Sequence, residues 1–180
     1  MAEFVEGKLK FTFPEVSYSA TQYDSWSFYR NQLSNNAFGG SKAVDFICVE
    51  DGVTWLIEVK DYRRDRRTKA IDLPLEVAQK VRDTLAGLAA ARCNANDSEE
   101  ERIAILCLIQ KRLRVVLHLE QPANPGKLFP QAIDPAKAKQ KLKQLLKAVD
   151  PHPLVVDKNR LPATVHWQVE SVSSDSASSV

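Results

Sequence analysis

Asp45, Glu58 and Lys60 are the residues whose types and spacing could do chemistry, because all three lie inside the most apolar stretch of the chain, "KAVDFICVEDGVTWLIEVKDYRR". Asp51-Gly52 is a two-residue hairpin signal, since a type I′ turn needs positive φ at both central positions. With that turn, Glu50 faces Val53, and counting outward places Asp45 opposite Glu58 with Cβ atoms roughly 4.5–5.5 Å apart. Lys60, two residues further on, projects from the same face. Directly opposed carboxylates destabilise a sheet unless a proton or a cation compensates, and paired hard oxygens suit Mg²⁺ or Mn²⁺. Lys60 can answer one of the two charges, so this pattern predicts a divalent-metal site. The competing reading is a salt-bridge cluster with no chemistry.

Cationic residues crowd the exit of this hairpin. Between Lys60 and Lys69 stand six cations, Lys60, Arg63, Arg64, Arg66, Arg67 and Lys69, against Asp61 and Asp65. A second cluster, Lys137, Lys139, Lys141, Lys143 and Lys147, reads as the solvated face of a helix. The formal net charge of the 180-residue chain is only +2, so composition alone names no partner.

The elements that must position these residues follow from periodicity and turn signals. Residues 7–14 read as a short strand, and residues 19–33 as an amphipathic helix with Tyr23, Trp26, Tyr29 or Arg30, and Leu33 on its inner face. A turn-rich loop, "SNNAFGGSK", leads into the hairpin. Residues 71–92 form a helix, with Asp72 as cap, Pro74 in the first turn, and Leu75, Ala78, Val81, Leu85 and Leu88 inward. The apolar run 102–110 reads as a strand, followed by a neighbouring strand at 113–120. Asp134-Pro135 opens a helix that turns Leu142, Leu145 and Val149 inward. A last strand falls in 163–170. We expect a single domain over residues 1–170, α/β in class with a mixed central sheet flanked by helices, and a disordered polar tail at 171–180. Cys48, Cys93 and Cys107 form no CxxC pair and read as free thiols. His118, His152 and His166 lack metal-ligand spacing, and no Gly-rich phosphate loop or GxSxG elbow is present. No apolar run is long enough to span a membrane and no signal peptide is legible, which predicts a cytoplasmic protein.

At residues 39–64 the chain resembles the PD-(D/E)xK nuclease superfamily, whose restriction endonucleases, Holliday-junction resolvases and RecB-like nucleases carry an Asp on one strand and an (Asp/Glu)-x-Lys on the next. The resemblance implies a restriction-endonuclease-like core. It also implies a metal-dependent nuclease that hydrolyses phosphodiesters, with DNA the expected substrate. Asp45 and Glu58 would hold Mg²⁺ or Mn²⁺ with the carbonyl of Val59, and Lys60 would orient the attacking water. Arg63, Arg64, Arg66 and Arg67 would grip phosphates. Asp24 would replace the first-helix acid of the family, with Glu15 a poorer substitute, and Gln79 would support the site from the following helix. The competing function is a nuclease-like domain that binds nucleic acid or a partner without cutting. Double-strand cleavage would call for a homodimer or a larger complex.

Overall fold

The computed structural model describes residues 1–15, 19–35, 39–65, 67–124, 126 and 132–172. Among these residues there are two sheets and three α-helices. Strands β1 (Ala2–Glu6), β2 (Leu9–Phe13) and β8 (Gln168–Ser171) form a small antiparallel sheet in the order β1-β2-β8. Strands β3 (Ser19–Gln22), β4 (Phe46–Glu50), β5 (Val53–Asp61), β6 (Arg112–Glu120) and β7 (Leu154–Val156) form the central sheet in that order. Its β3-β4-β5 half is antiparallel and its β5-β6-β7 half parallel, so the sheet is mixed, as the sequence predicts. Among the described residues no helix is long and apolar enough to cross a membrane.

Alternation along the strands sorts the core into two layers. Phe46, Cys48, Trp55, Ile57 and Val59 point to one face and pack on Leu9, Phe11, Phe13 and Trp167 of the small sheet and its approach. Ile47, Val49, Leu56, Val115 and Leu117 point to the other, against helices α1 (Leu73–Asn94), α2 (Ser98–Ile109) and α3 (Pro135–Leu145). The helices thus cover one face, and the small sheet covers the other. Asp45, Glu58 and Lys60 share the parity of the helix-facing set, so the acids look toward α1.

Several expected elements take another form. Residues 19–33 are not one helix: Ser19–Gln22 pairs with β4 as an edge strand, Tyr23–Ser25 makes a tight turn, and Tyr29–Leu33 a wide one closed by Ser34 N–H on the Tyr29 carbonyl. The aromatic face is nonetheless internal, with Tyr23, Trp26 and Leu33 buried. The run 102–110 belongs to helix α2 rather than a strand. Asp97 caps it by accepting from Glu99 and Glu100 N–H, three acids favour its N-terminus, and the buried Ile103, Ala104 and Cys107 recur at helical spacing. A nine-residue apolar run cannot tell helix from strand by periodicity alone. Strand β1 escaped the sequence reading because Glu3 and Glu6 flank its apolar residues.

Helix α1 forms as expected, but its inner stripe is Leu73, Val77, Val81, Thr84, Leu88 and Ala91, while Leu75 is exposed. Asp72 sits at its cap position without a capping bond and pairs instead with Lys141 Nζ at 2.8 Å. In α3, Asp134 caps through Ala136 and Lys137 N–H, and Leu142 is buried with Leu146, while the expected Leu145 is exposed. The polar tail begins later than expected, since Ser171 closes β8, and positions 173–180 lie outside the described residues. Among the described residues no disulfide forms: Cys48 and Cys107 are buried and Cys93 is exposed.

A candidate acid and lysine site with a basic cleft

The hairpin turn has the expected chemistry, with φ of 47° at Asp51 and 76° at Gly52, and the register pairs Glu50 with Val53 through Phe46 with Ile57. The ladder stops there, one pair short of Asp45. Asp45 N–H bonds to the Ile57 carbonyl, and its Oδ2 accepts the Val59 N–H at 2.6 Å. Asp45 therefore ends the sheet with its own carboxylate in place of backbone. Helix α1 fixes the approach, since Thr84 Oγ1 accepts the Val44 N–H and Asp83 the Lys42 N–H.

The second cation that balances the pair is Lys80, one residue beyond the expected Gln79. Its Nζ stands 2.7 Å from Glu58 Oε1 and 3.6 Å from Asp45 Oδ1, and Lys60 Nζ stands 2.5 Å from the same Glu58 oxygen. Gln79 itself is half-buried. The signal for Lys80 was present in the sequence: shifting the inner stripe of α1 to Val77, Val81 and Thr84 turns Lys80 toward the sheet and leaves Leu75 outside.

Burial and the neighbouring Asp45 charge push the Glu58 carboxyl up to about 7, even with two ammonium groups beside it. Burial would lower the Lys80 pKa, but Glu58 and Asp45 raise it, so this lysine stays charged. Asp24 and Glu6 join the cluster from outside the hairpin: carboxylate oxygens of Glu6, Asp24 and Asp45 lie within 4.8 Å of one another. Burial raises the pKa of both newcomers, with Asp45 adding to the shift. Asp24 thus falls where the sequence expected an acid, whereas Glu15 is exposed and paired with the chain's own amino terminus. Glu6 went unseen because β1 did. Four carboxylates thus share the site with two lysines, an acid-rich cluster whose excess negative charge protons or a divalent cation can offset.

The expected arginine grip is mostly spent internally. Arg63 makes a two-bond fork on Asp61, at 2.8 and 2.6 Å, and reaches Ser171 Oγ. Arg67 is held by Glu76 at 2.8 Å, the Tyr62 hydroxyl and the Ile71 carbonyl, and Lys69 shares Glu76 at 2.6 Å. Burial would raise the Glu76 pKa, but the bonds from Lys69 and Arg67 hold it down at about 2. Arg66 lies outside the described residues. Arg64 is different: with Gly7, Lys8, Asp61, Arg63, Asp65, Ser171 and Val172 it lines an open cleft of about 560 Å³. This cleft adjoins the acid cluster twice, through the Glu6-Gly7-Lys8 turn and through the end of β5.

Among known proteins, a cysteine--tRNA ligase of Neisseria meningitidis serogroup A / serotype 4A (strain DSM 15465 / Z2491) is 35% identical over 179 aligned residues, which take in 82% of this chain and 26% of the relative. The chain spans about a quarter of the length of the curated relative it matches. No family model matches the chain, and no solved structure matches it. The ligase relationship overturns the expectation of a nuclease: neither the hydrolase class nor endonuclease chemistry fits a relative that bears a ligase name. The hairpin's acid and lysine residues are real neighbours, but a motif of three letters is shared by proteins of unrelated chemistry.

Proposed function

We propose that this chain is an RNA-holding domain of an enzyme of the tRNA-ligase kind, working on tRNA in the cytoplasm. The relationship to a cysteine--tRNA ligase, which takes in about a quarter of that protein, supports tRNA as the partner ahead of DNA. The likeness to the PD-(D/E)xK superfamily enters this reading as a proposal about framework alone.

The observation that carries the reading is the cleft beside the acid cluster. Lys8 and Arg64 have no ion-pair partner among the described residues, and Arg63 is fixed at the same mouth by Asp61 and Ser171. Lys158 reaches the same Ser171 hydroxyl, 2.8 Å away, and adds a fourth cation to this rim. Cationic side chains on an open rim grip a phosphate backbone without reading its bases. The neighbouring acids would repel that backbone unless neutralised. Glu6, Asp24 and Asp45 offer the oxygen donors that Mg²⁺ or Mn²⁺ prefers, and Mg²⁺ commonly takes one or two carboxylates together with phosphates of a bound partner. A cation held there would convert the repelling end of the cleft into an attracting one.

Fluorescence anisotropy with a labelled tRNA transcript tests this. The expected result is binding in Mg²⁺ that weakens in chelator, and that falls again in a Lys8→Gln, Arg64→Gln variant with a shallower salt dependence. Absence of tRNA binding by the folded wild-type chain in Mg²⁺ would overturn the reading.

A further inference from the structure

Helix α3 carries a charge pattern that the cleft does not use. Between residues 135 and 149, the helix and the turn that follows it, there are five lysines and no acid. All five are exposed, and among the described residues only Lys141 has an ion-pair partner, the half-exposed Asp72. Ordinary protein surfaces intersperse both signs, and exposed helices commonly set Glu four residues before Lys. This helix does neither.

The lysines are also arranged. With 3.6 residues per turn, positions four apart lie nearly above one another. Lys137 and Lys141 form one row and line a shallow cavity with Asp72, Pro74 and Asp134. Lys139 and Lys143 form a second row, and Lys147, in the turn just past the helix end at Leu145, lines a different cavity with Lys143, Gln140, Gln144 and Pro151. Gln140 and Gln144 run between the rows, opposite the buried Ala138 and Leu142. The outward face of α3 is therefore two cationic rails with a neutral amide ridge between them.

We infer that this face docks on a double-stranded RNA stem, the amide ridge in the shallow minor groove and one lysine rail on the phosphates of each strand. The inference rests on the RNA-holding reading above and names the part of the RNA and the second surface that holds it. The chemistry favours a stem over a single strand because there are no aromatic side chains on this face for unstacked bases to stack against. It favours RNA over DNA because A-form duplexes are held across a wide minor groove that displays 2′-hydroxyls, partners that glutamine amides meet as both donor and acceptor. The cleft and this face are linked along the chain by the segment that enters α1. Lys141 pairs with Asp72 at the start of α1, and the loop entering α1 from that cleft carries Arg63 and Arg64 at its other end.

The test measures binding of the full chain to tRNA, to an isolated RNA hairpin, to unstructured RNA and to duplex DNA at several salt concentrations. Replacing Lys137, Lys139, Lys143 and Lys147 by Gln should weaken hairpin binding at least tenfold and reduce the salt slope by about 0.9 for each lost duplex-phosphate contact. The same positions changed to Arg should retain binding, which separates charge from folding. Gln140→Ala with Gln144→Ala should leave the salt slope alone and reduce the preference for RNA hairpin over DNA duplex by about tenfold, the worth of two modest hydrogen bonds. If the lysine variant binds hairpin with unchanged affinity and slope while the wild type binds tRNA, the α3 surface is overturned and the cleft reading stands. An unchanged hairpin-over-DNA preference in the glutamine variant would overturn the minor-groove placement. A wild-type chain that binds no RNA defeats both.

Discussion

Removing Lys80 should damage the protein at high pH far more than at low pH. Its Nζ lies 2.7 Å from Glu58 and 3.6 Å from Asp45. At an effective dielectric of about 20 those separations correspond to gross attractions of roughly 6 and 5 kcal/mol. Against them stands the desolvation of three buried charges, several kcal/mol each, so the pair's net worth is far smaller than its gross attraction. Breaking the arrangement is another matter, because it strands a charge. Lys80→Met keeps the aliphatic stem, leaves two buried carboxylates facing Lys60 alone, and should cost about 3–5 kcal/mol at pH 8. Glu58 offers the escape. Burial and Asp45 have already raised its pKa to about 7, and losing Lys80 raises it further, so at pH 5 it takes up a proton and the stranded charge disappears. There the cost should fall below about 2 kcal/mol, since each pH unit of the window between unfolded and folded pKa is worth about 1.4 kcal/mol. Urea denaturation of both proteins at pH 5 and pH 8 makes the measurement. A penalty equal at the two pH values, or larger at pH 5, would refute the placement of Lys80 between the acids.

Three further outcomes follow from the same contacts. Glu76 has a folded pKa of about 2, below its unfolded value of 4.5, so it contributes stability above pH 4.5 that is lost as pH falls toward 2; Glu76→Gln should cost about 3 kcal/mol at pH 7 and nothing near pH 2, and a pH-independent cost in acid-to-neutral melts would contradict this. Gly87→Ala should destabilise by about 1–3 kcal/mol although alanine favours a helix, because the added Cβ would sit 2.1 Å from the hydroxyl of the buried Tyr23; a stabilised variant in urea titration would show that Tyr23 yields. Millimolar Mn²⁺ should raise the melting temperature of the wild type and leave that of a Glu6→Gln, Asp24→Asn variant nearly unchanged, since a ligand stabilises only the state that binds it; equal shifts in both proteins would remove the cation from this cluster.

What was legible in the sequence was set by local, one-dimensional signals. The Asp51-Gly52 turn fixes the hairpin register, and register fixes which face each acid takes, so Asp45, Glu58 and Lys60 could be brought together from letters alone. Asp134 and Pro135 mark the start of α3 for the same reason. The misses come from information that lies off the local pattern. Lys80 depends on the rotational setting of α1, where the spacing turns Leu75 inward although Leu73 and Val77 are the buried pair. Glu6 reaches the cluster only because the small sheet folds across the hairpin. Residues 102–110 are apolar enough for either element, and the decision rests on the cap at Asp97 and on burial of one side. The function was less legible still, because three charged residues on a hairpin specify an electrostatic environment and not a reaction.

The most direct test is a map of which lysines tRNA shields. Limited acylation of the folded chain, read by mass spectrometry with and without tRNA in Mg²⁺, reports each exposed amine separately. The account predicts protection of Lys8, Lys137, Lys139, Lys143 and Lys147, with Lys111, exposed beside the hairpin turn at the other end of the central sheet, as reactive as in the free protein. Protection that spares the cleft and α3, or none at all, would contradict it.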